Sequence, residues 1–249
     1  MQSRHGRLFG AIRSATIEAR EGPMKPSLPT LLSINGGYVD TAGFLALHGL
    51  FTAHVTGNFV TLGATLALGA SGAVAKLLAL PVFCVVVVLA RLVGGDLSRR
   101  NLPTLRIILS LKLLLLILAA VFAIRFGPFA DGDGWQPTIT GMTLIAAMAI
   151  QTTAHRIHLG SAPPTTMMTG TTTQIMIDIA DLLRGATPEE KAAMTARLAR
   201  MGAAVGGFGL GCAMAAVLFL FAGMQCFLLP PVLALAGILM HTGTSAKPA

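Results

Sequence analysis

"TAHVTGNFVTLG", residues 52–63, lies within one of the most apolar regions of the chain, yet it opens with threonine, histidine, glycine and asparagine. A helix facing lipid has no use for such residues. The scheme returns in "TTMMTGTTTQIM", residues 165–176, with Thr-x-x-x-Thr-Gly at the same internal spacing and a second short apolar pattern behind it. In hydrocarbon, irregular backbone survives only where protein or a watery cavity satisfies its polar groups. The pair of stretches therefore reads as two re-entrant segments. Each enters from one face, turns near the midplane and returns as a half-helix. Asn58 is a plausible N-cap after Gly57, and Thr171 with Gln174 fits a capping box after Gly170. Two helix N-termini meeting at mid-depth form a seat for an anionic or strongly polar group. The alternative is that threonine and glycine only permit close helix packing.

Composition outside these stretches supports a membrane solvent. Hydrophobic residues make up 54% of the chain and charged residues 11%, with a mean hydropathy of +0.74; soluble domains carry roughly 25% charged residues. Six runs are long enough to cross about 30 Å of hydrocarbon: 28–48, 76–95, 105–125, 138–158, 198–221 and 224–241. Pro230 and Pro231 should kink the last. The short pieces 58–70 and 171–183 reach only about 18–20 Å at 1.5 Å per residue, too little to span.

Charge assigns the sides. With neither short piece crossing, Arg99, Arg100 and Arg106 fall on the same side as Arg184, Lys191, Arg197 and Arg200, and "FGPFADGDGWQP" falls on the other. The positive-inside bias makes the basic side cytoplasmic. The expected architecture is an all-α integral membrane protein with six transmembrane helices in two inverted repeats, 28–126 and 136–241, each holding a discontinuous half-helix. Residues 1–27, with five Lys or Arg, form a cytoplasmic basic arm, and 242–249 a cytoplasmic tail. Multi-pass insertion in a bacterial inner membrane, with both termini cytoplasmic, is the expected location. The formal net charge of +8 resides at the ends of apolar runs, where topology and anionic headgroups call for it, so the expected partner is the lipid bilayer and not nucleic acid.

"GGYVDTAGFLALHGLFTAHVTGNFVTLG", residues 36–63, resembles the signature of the YoaK family, bacterial inner-membrane proteins built from a domain of unknown function. The resemblance is carried by Gly37, Asp40, Phe44, Leu45, Thr56, Gly57 and Asn58, with Thr41 where the family more often has alanine. In the second half a family pattern of Gln-Asn-Ala followed by Thr-Gly corresponds to Gln151-Thr152-Thr153-Ala154 and Thr169-Gly170. The resemblance covers most of residues 28–241 and implies a multi-pass protein without an established reaction.

Intramembrane charges are costly and should face a partner or a cavity. Asp40, past the middle of the first helix, could bind a cation, carry a proton or organise the turn at Asn58; purely structural capping stands equally beside these roles. Lys112 is expected to snorkel toward the cytoplasm, a carboxylate pair being the sharper alternative. Asp178 and Asp181 read as solvated acids near a cytoplasmic mouth. His48 and His54 lie toward one face and His155 and His158 toward the other, so no metal site is expected. Cys84, Cys212 and Cys226 read as small buried hydrophobes. Gly202, Gly206, Gly207 and Gly211 permit close helix packing or a homodimer. No nucleophile elbow, His-Glu-x-x-His or phosphate loop is present, so neither enzyme activity nor a cofactor is expected. The leading expectation is a secondary transporter for a small polar or anionic solute bound by Asp40, Thr56, Gly57, Asn58, Gln151, Thr169, Gly170 and Thr171. The competing one is a non-transporting scaffold or accessory subunit.

Overall fold

The computed structural model describes residues 27–185 and 187–245, with side chains described as far as residue 240; the expected arm over 1–26 and the last residues of the expected tail, 246–249, lie outside them. Among the described residues there are only helices and connections. They are α1 (Leu28–Ala46), α2 (Asn58–Leu68), α3 (Ala73–Arg99), α4 (Thr104–Phe126), α5 (Trp135–His158), α6 (Met168–Gly185), α7 (Pro188–Ala222) and α8 (Leu229–Ser245). Short 3₁₀ turns at Val55–Gly57 and Gly223–Leu228 lead into α2 and α8. This is an all-α, multi-pass membrane protein. Three helical stretches are long and apolar enough to cross a membrane by length and composition: Ala73–Arg99, Thr104–Phe126 and the run Pro188–Met240, which contains α7 and most of α8. Their outward faces carry exposed Leu77, Val85, Val88, Leu92, Leu114 and Leu220, a surface suited to acyl chains rather than water.

Local chemistry sets the helix ends. Ser27 caps α1, its hydroxyl accepting from the Thr30 N–H, with proline in the first turn. A reciprocal capping box joins Thr187 and Glu190 at the start of α7. Pro230 and Pro231 fall in the first turn of α8, where a missing N–H costs nothing, so they begin that helix instead of kinking it. The 3₁₀ turn before them takes up the change of direction.

Polar contacts between loops show which connections share an end of the bundle. Gly72 N–H and Val74 N–H donate to the Asp133 carboxylate, Gly132 N–H donates to Ser71 Oγ, and His48 Nε2 lies 3.0 Å from Phe129 O. The C-terminus of α1, the α2–α3 loop and the α4–α5 loop therefore meet at one end. Since the chain stands there both at residue 48 and at residue 72, the segment between them dips inward and comes back. At the other end the α5–α6 loop lines a cavity together with Arg197 and Arg200 of α7.

The helix pairings exchange between the two halves. α1 packs on α7 as α5 packs on α3; α4 packs on α5 as α8 packs on α1; α2 packs on α3 as α6 packs on α7. Two side-chain clasps repeat this relation. Lys76 on α3 donates to Thr65 on α2 at 2.6 Å, and Arg197 on α7 donates to Asp178 on α6. Thr65 and Asp178 each stand nine residues after the threonine of their Thr-Gly pair. Asp178 is thus fully buried and ion-paired, not the solvated acid expected, because α7 brings a guanidinium to it from nineteen residues away.

Glycine sets the closest helix approach. A Cβ at Gly37 would collide with the Phe208 carbonyl, and one at Gly211 with the Ile34 carbonyl, so α1 and α7 cross with their backbones in contact. Gly207 also packs on α1, whereas Gly202 and Gly206 meet nothing within 4 Å. Half of the expected small-residue stripe therefore serves packing within the chain.

Candidate functional site

Asp40 is buried on α1, and its carboxylate gathers the first re-entrant turn. Oδ1 accepts from the backbone N–H groups of Thr52 and Ala53 at 2.7 Å each, and Oδ2 lies 2.6 Å from His54 Nδ1. Charge-assisted bonds of this kind are roughly twice as strong as neutral ones. Of the roles open to Asp40, organising a turn is the one this geometry displays, though the turn is Thr52–His54 and not the N–H groups of Asn58. Asn58 does not cap α2 with its side chain. Its amide folds back instead, accepting from Phe51 N–H at 2.9 Å and donating to Phe51 O at 2.8 Å. Asn58 itself has helical backbone angles, φ −66° and ψ −20°, whereas a side-chain N-cap stands just outside the helix in an extended conformation.

The second turn is held at the equivalent place by an amide. Gln151 Nε2 donates to Leu32 O at 2.9 Å and to Thr165 Oγ1 at 3.2 Å, while its Oε1 accepts from Lys112 Nζ. Thr52 and Thr165 occupy the same position, four residues before the Thr-Gly pair. Lys112 is fully buried, so it neither snorkels nor finds a carboxylate; it approaches Gln151 because α4 lies flat against α5. The capping box expected at Thr171 is absent as well. Helix α6 already begins at Met168, the Thr171 hydroxyl donates back to Met167 O, and Gln174 donates to Asp178.

Three cavities follow one another along these turns. The first, about 410 Å³, lies at the end of the bundle bearing the α5–α6 loop and is lined by Arg156, Pro164, Gly170, Thr171, Arg197 and Arg200. The second, about 330 Å³, lies between the two Thr-Gly turns, with His54, Thr56, Thr152, Met167, Thr169 and Gly170 among its walls. The third, about 580 Å³, is bounded by Asp40, His54, Thr56, Gly57, Phe208 and Cys212. Met167 and Gly170 are common to the first and second cavities, His54 and Thr56 to the second and third.

The candidate residues thus divide. Thr56, Thr169 and Gly170 share the middle cavity; Thr171 faces the first, and Asp40 and Gly57 the third. Asn58 and Gln151 are buried and line none of these three. They shape turns. Among the described residues no group of three His, Cys, Asp or Glu side chains could hold a metal ion.

Residues 28–240 match the model of a family described as "Protein of unknown function (DUF1275)". The chain belongs to this family. It is 34% identical over 162 residues to the "UPF0700 transmembrane protein YoaK" of Bacillus subtilis (strain 168), a match that covers 63% of this chain and 68% of that protein. No solved structure matches the chain. In this family member the first-half motif residues have separable tasks: Gly37 lets α7 approach, Asp40 and Asn58 hold the turn, and Thr56 and Gly57 reach the cavities.

Sequence reasoning missed His54 as a site residue because it weighed histidines only as metal ligands. Only the end of α1 and the loop after it separate Asp40 from His54, and nothing in that spacing marks the pair.

Proposed function

We propose that this family member is a permease for a small, polar anion, seated in the cavity between the two Thr-Gly turns. The observation that carries the reading is that residues 53–56 and 166–170, from opposite halves of the chain, wall one cavity of about 330 Å³ that shares residues with a basic mouth holding Arg156, Arg197 and Arg200. Helix N-termini and guanidinium groups both favour negative charge. Transporters built from paired repeats place substrate between broken helices near the midplane. In this reading six helices cross the bilayer, the basic end is cytoplasmic, and the Thr56 and Thr169 hydroxyls donate to the solute.

Purified protein in proteoliposomes provides the test. Uptake of radiolabelled anions should be measurable for the wild type. Thr56→Val with Thr169→Val, which keeps side-chain volume and removes both hydroxyls, should cut uptake by about tenfold or more, the loss of one to two polar contacts at about 1 kcal/mol each. A protein that melts normally yet moves no anion under any gradient is a scaffold, and the permease reading is then wrong.

A further inference from the structure

His54 stands where the second and third cavities meet and belongs to the walls of both. Its Nδ1 is committed to Asp40 Oδ2 at 2.6 Å, whereas Nε2 has no hydrogen-bond partner among the described residues. The imidazole is fixed in orientation by edge-on contacts with Phe51 and Phe208, whose ring centres lie 6.3 Å and 5.3 Å away. Its side chain retains 37% of its exposure, so water in the cavities can reach it. A histidine locked by a carboxylate at one nitrogen and open at the other is built to exchange a proton at the open one.

Resting on the permease reading, we propose that His54 is the solute-contacting proton carrier of this protein, with Asp40 as its positioning residue, so that one anion moves with one proton. Protonated at Nε2, the imidazolium presents a cationic donor to the middle cavity, and the bound anion and proton together add no net charge to the site. Deprotonation to water at the other end of the pathway removes the attraction and releases the anion. Asp40 keeps its place throughout, its Oδ1 accepting from the Thr52 and Ala53 N–H groups. Few other ionisable groups face this position. Asp40 comes from α1; Cys212 comes from α7, and its thiol donates to Gly37 O at 3.4 Å. The turn itself adds none, and across the middle cavity residues 166–170 are threonine, methionine and glycine. The arginines of the basic mouth belong to the neighbouring cavity.

The inference is tested with nitrate and methanesulfonate, anions that stay fully ionised between about pH 5 and 8, so that pH acts only on the protein. Wild-type affinity, measured by thermal shift and calorimetry in nanodiscs, should fall with rising pH, approaching tenfold per pH unit above the imidazole midpoint, the limit for one linked proton. His54→Gln keeps an N–H for Asp40 but cannot titrate; it should fold, bind weakly and show no pH dependence. Asp40→Asn should move the pH at which affinity falls, which a carboxylate with a merely structural role would not do. In histidine-labelled wild type, the ¹⁵N resonance missing from His54→Gln should titrate in the same range and respond to the anion. A His54→Gln protein that keeps the wild-type pH profile overturns the assignment of the proton to His54 while leaving the permease reading intact. A ring that never titrates between pH 5 and 8 does the same. A wild type that binds neither anion removes the anion-permease reading and this inference with it.

Discussion

A fully buried lysine without a carboxylate is the most demanding residue in the fold. Lys112 Nζ donates to Gln151 Oε1, and the same amide donates to Thr165 and Leu32, so one side chain ties α4, α1 and the second turn together. Removing a single partner from such an arrangement leaves the other unsatisfied in hydrocarbon, whereas replacing both with apolar groups of similar shape can be close to neutral. Gln151→Leu alone should therefore destabilise by about 3 kcal/mol, and Lys112→Met with Gln151→Leu should recover most of that loss in thermal unfolding. Additive losses in the double variant would mean that the two side chains act independently. Asp133 lends itself to a pH test. The N–H groups of Val74 and Gly72 hold its carboxyl below the usual carboxylate range. A depressed folded-state pKa contributes stability above the unfolded value and loses it as pH falls through the folded one. The melting temperature of wild type should exceed that of Asp133→Ala at pH 7, with the gap closing below about pH 4; a gap that is independent of pH would place the effect elsewhere.

At the scale of helices, the α1–α7 crossing makes a prediction with an internal control. Gly211 and Gly206 lie on the same helix, but a Cβ at Gly211 meets the backbone of Ile34 and Tyr38, whereas Gly206 has no neighbour within 4 Å. Gly211→Val should cost at least about 1–3 kcal/mol through overpacking, and Gly206→Val less than about 0.5 kcal/mol; equal effects would show that helix propensity, not contact, governs both. If Gly206 instead faces a second copy of the chain, its substitution should lower the oligomer mass without lowering the melting temperature of the monomer. The contrast between these two glycines also marks the limit of what the chain reveals before it folds. Apolar run length located α3, α4 and α5, since 76–95, 105–125 and 138–158 fall inside them, but α7 begins at Pro188, well before the expected 198, and the second Thr-Gly segment leads into an α6 of 18 residues, longer than the expected 171–183. Capping could not be read in the same way. Asn58 and Thr171 sit where local rules favour caps, but a 3₁₀ turn before α2 and an earlier start of α6 give their side chains other partners. Lys112–Gln151 and Asp178–Arg197 join residues on different helices, and only the packed bundle brings such residues together. The cavity residues Thr56, Thr169 and Gly170 were legible because a polar break within an apolar run must be satisfied by protein or by a watery cavity; His54 was not, because its role depends on Asp40 arriving from another element.

For the whole molecule, the proposed orientation rests on how charge divides between the two ends of the bundle. Arg99, Arg100 and Arg106 flank the α3–α4 loop, while Arg156, Arg197 and Arg200 line the mouth formed by α5, α6 and α7. The opposite end carries Asp131 and Asp133. Lysine and arginine are retained on the cytoplasmic side because moving them across costs work against the membrane potential, about 2.3 kcal/mol per charge per 100 mV, and short basic loops set the orientation accordingly. In the proposed orientation the extra N-terminal turns of α7, which at 35 residues extends to about 52 Å, project into the cytoplasm. In a background with Cys84, Cys212 and Cys226 replaced by alanine, single cysteines at Leu102 and Glu189 should resist a membrane-impermeant maleimide in intact cells and react in inverted vesicles. A cysteine at Asp131 should show the reverse. Leu102 and Glu189 lie in different halves of the chain, so their common response tests the inverted arrangement as well as the orientation. Reaction of Leu102 from one side and Glu189 from the other would require one of the short helices to cross the membrane. The cavity between the Thr-Gly turns could then no longer be the meeting point of two re-entrant segments.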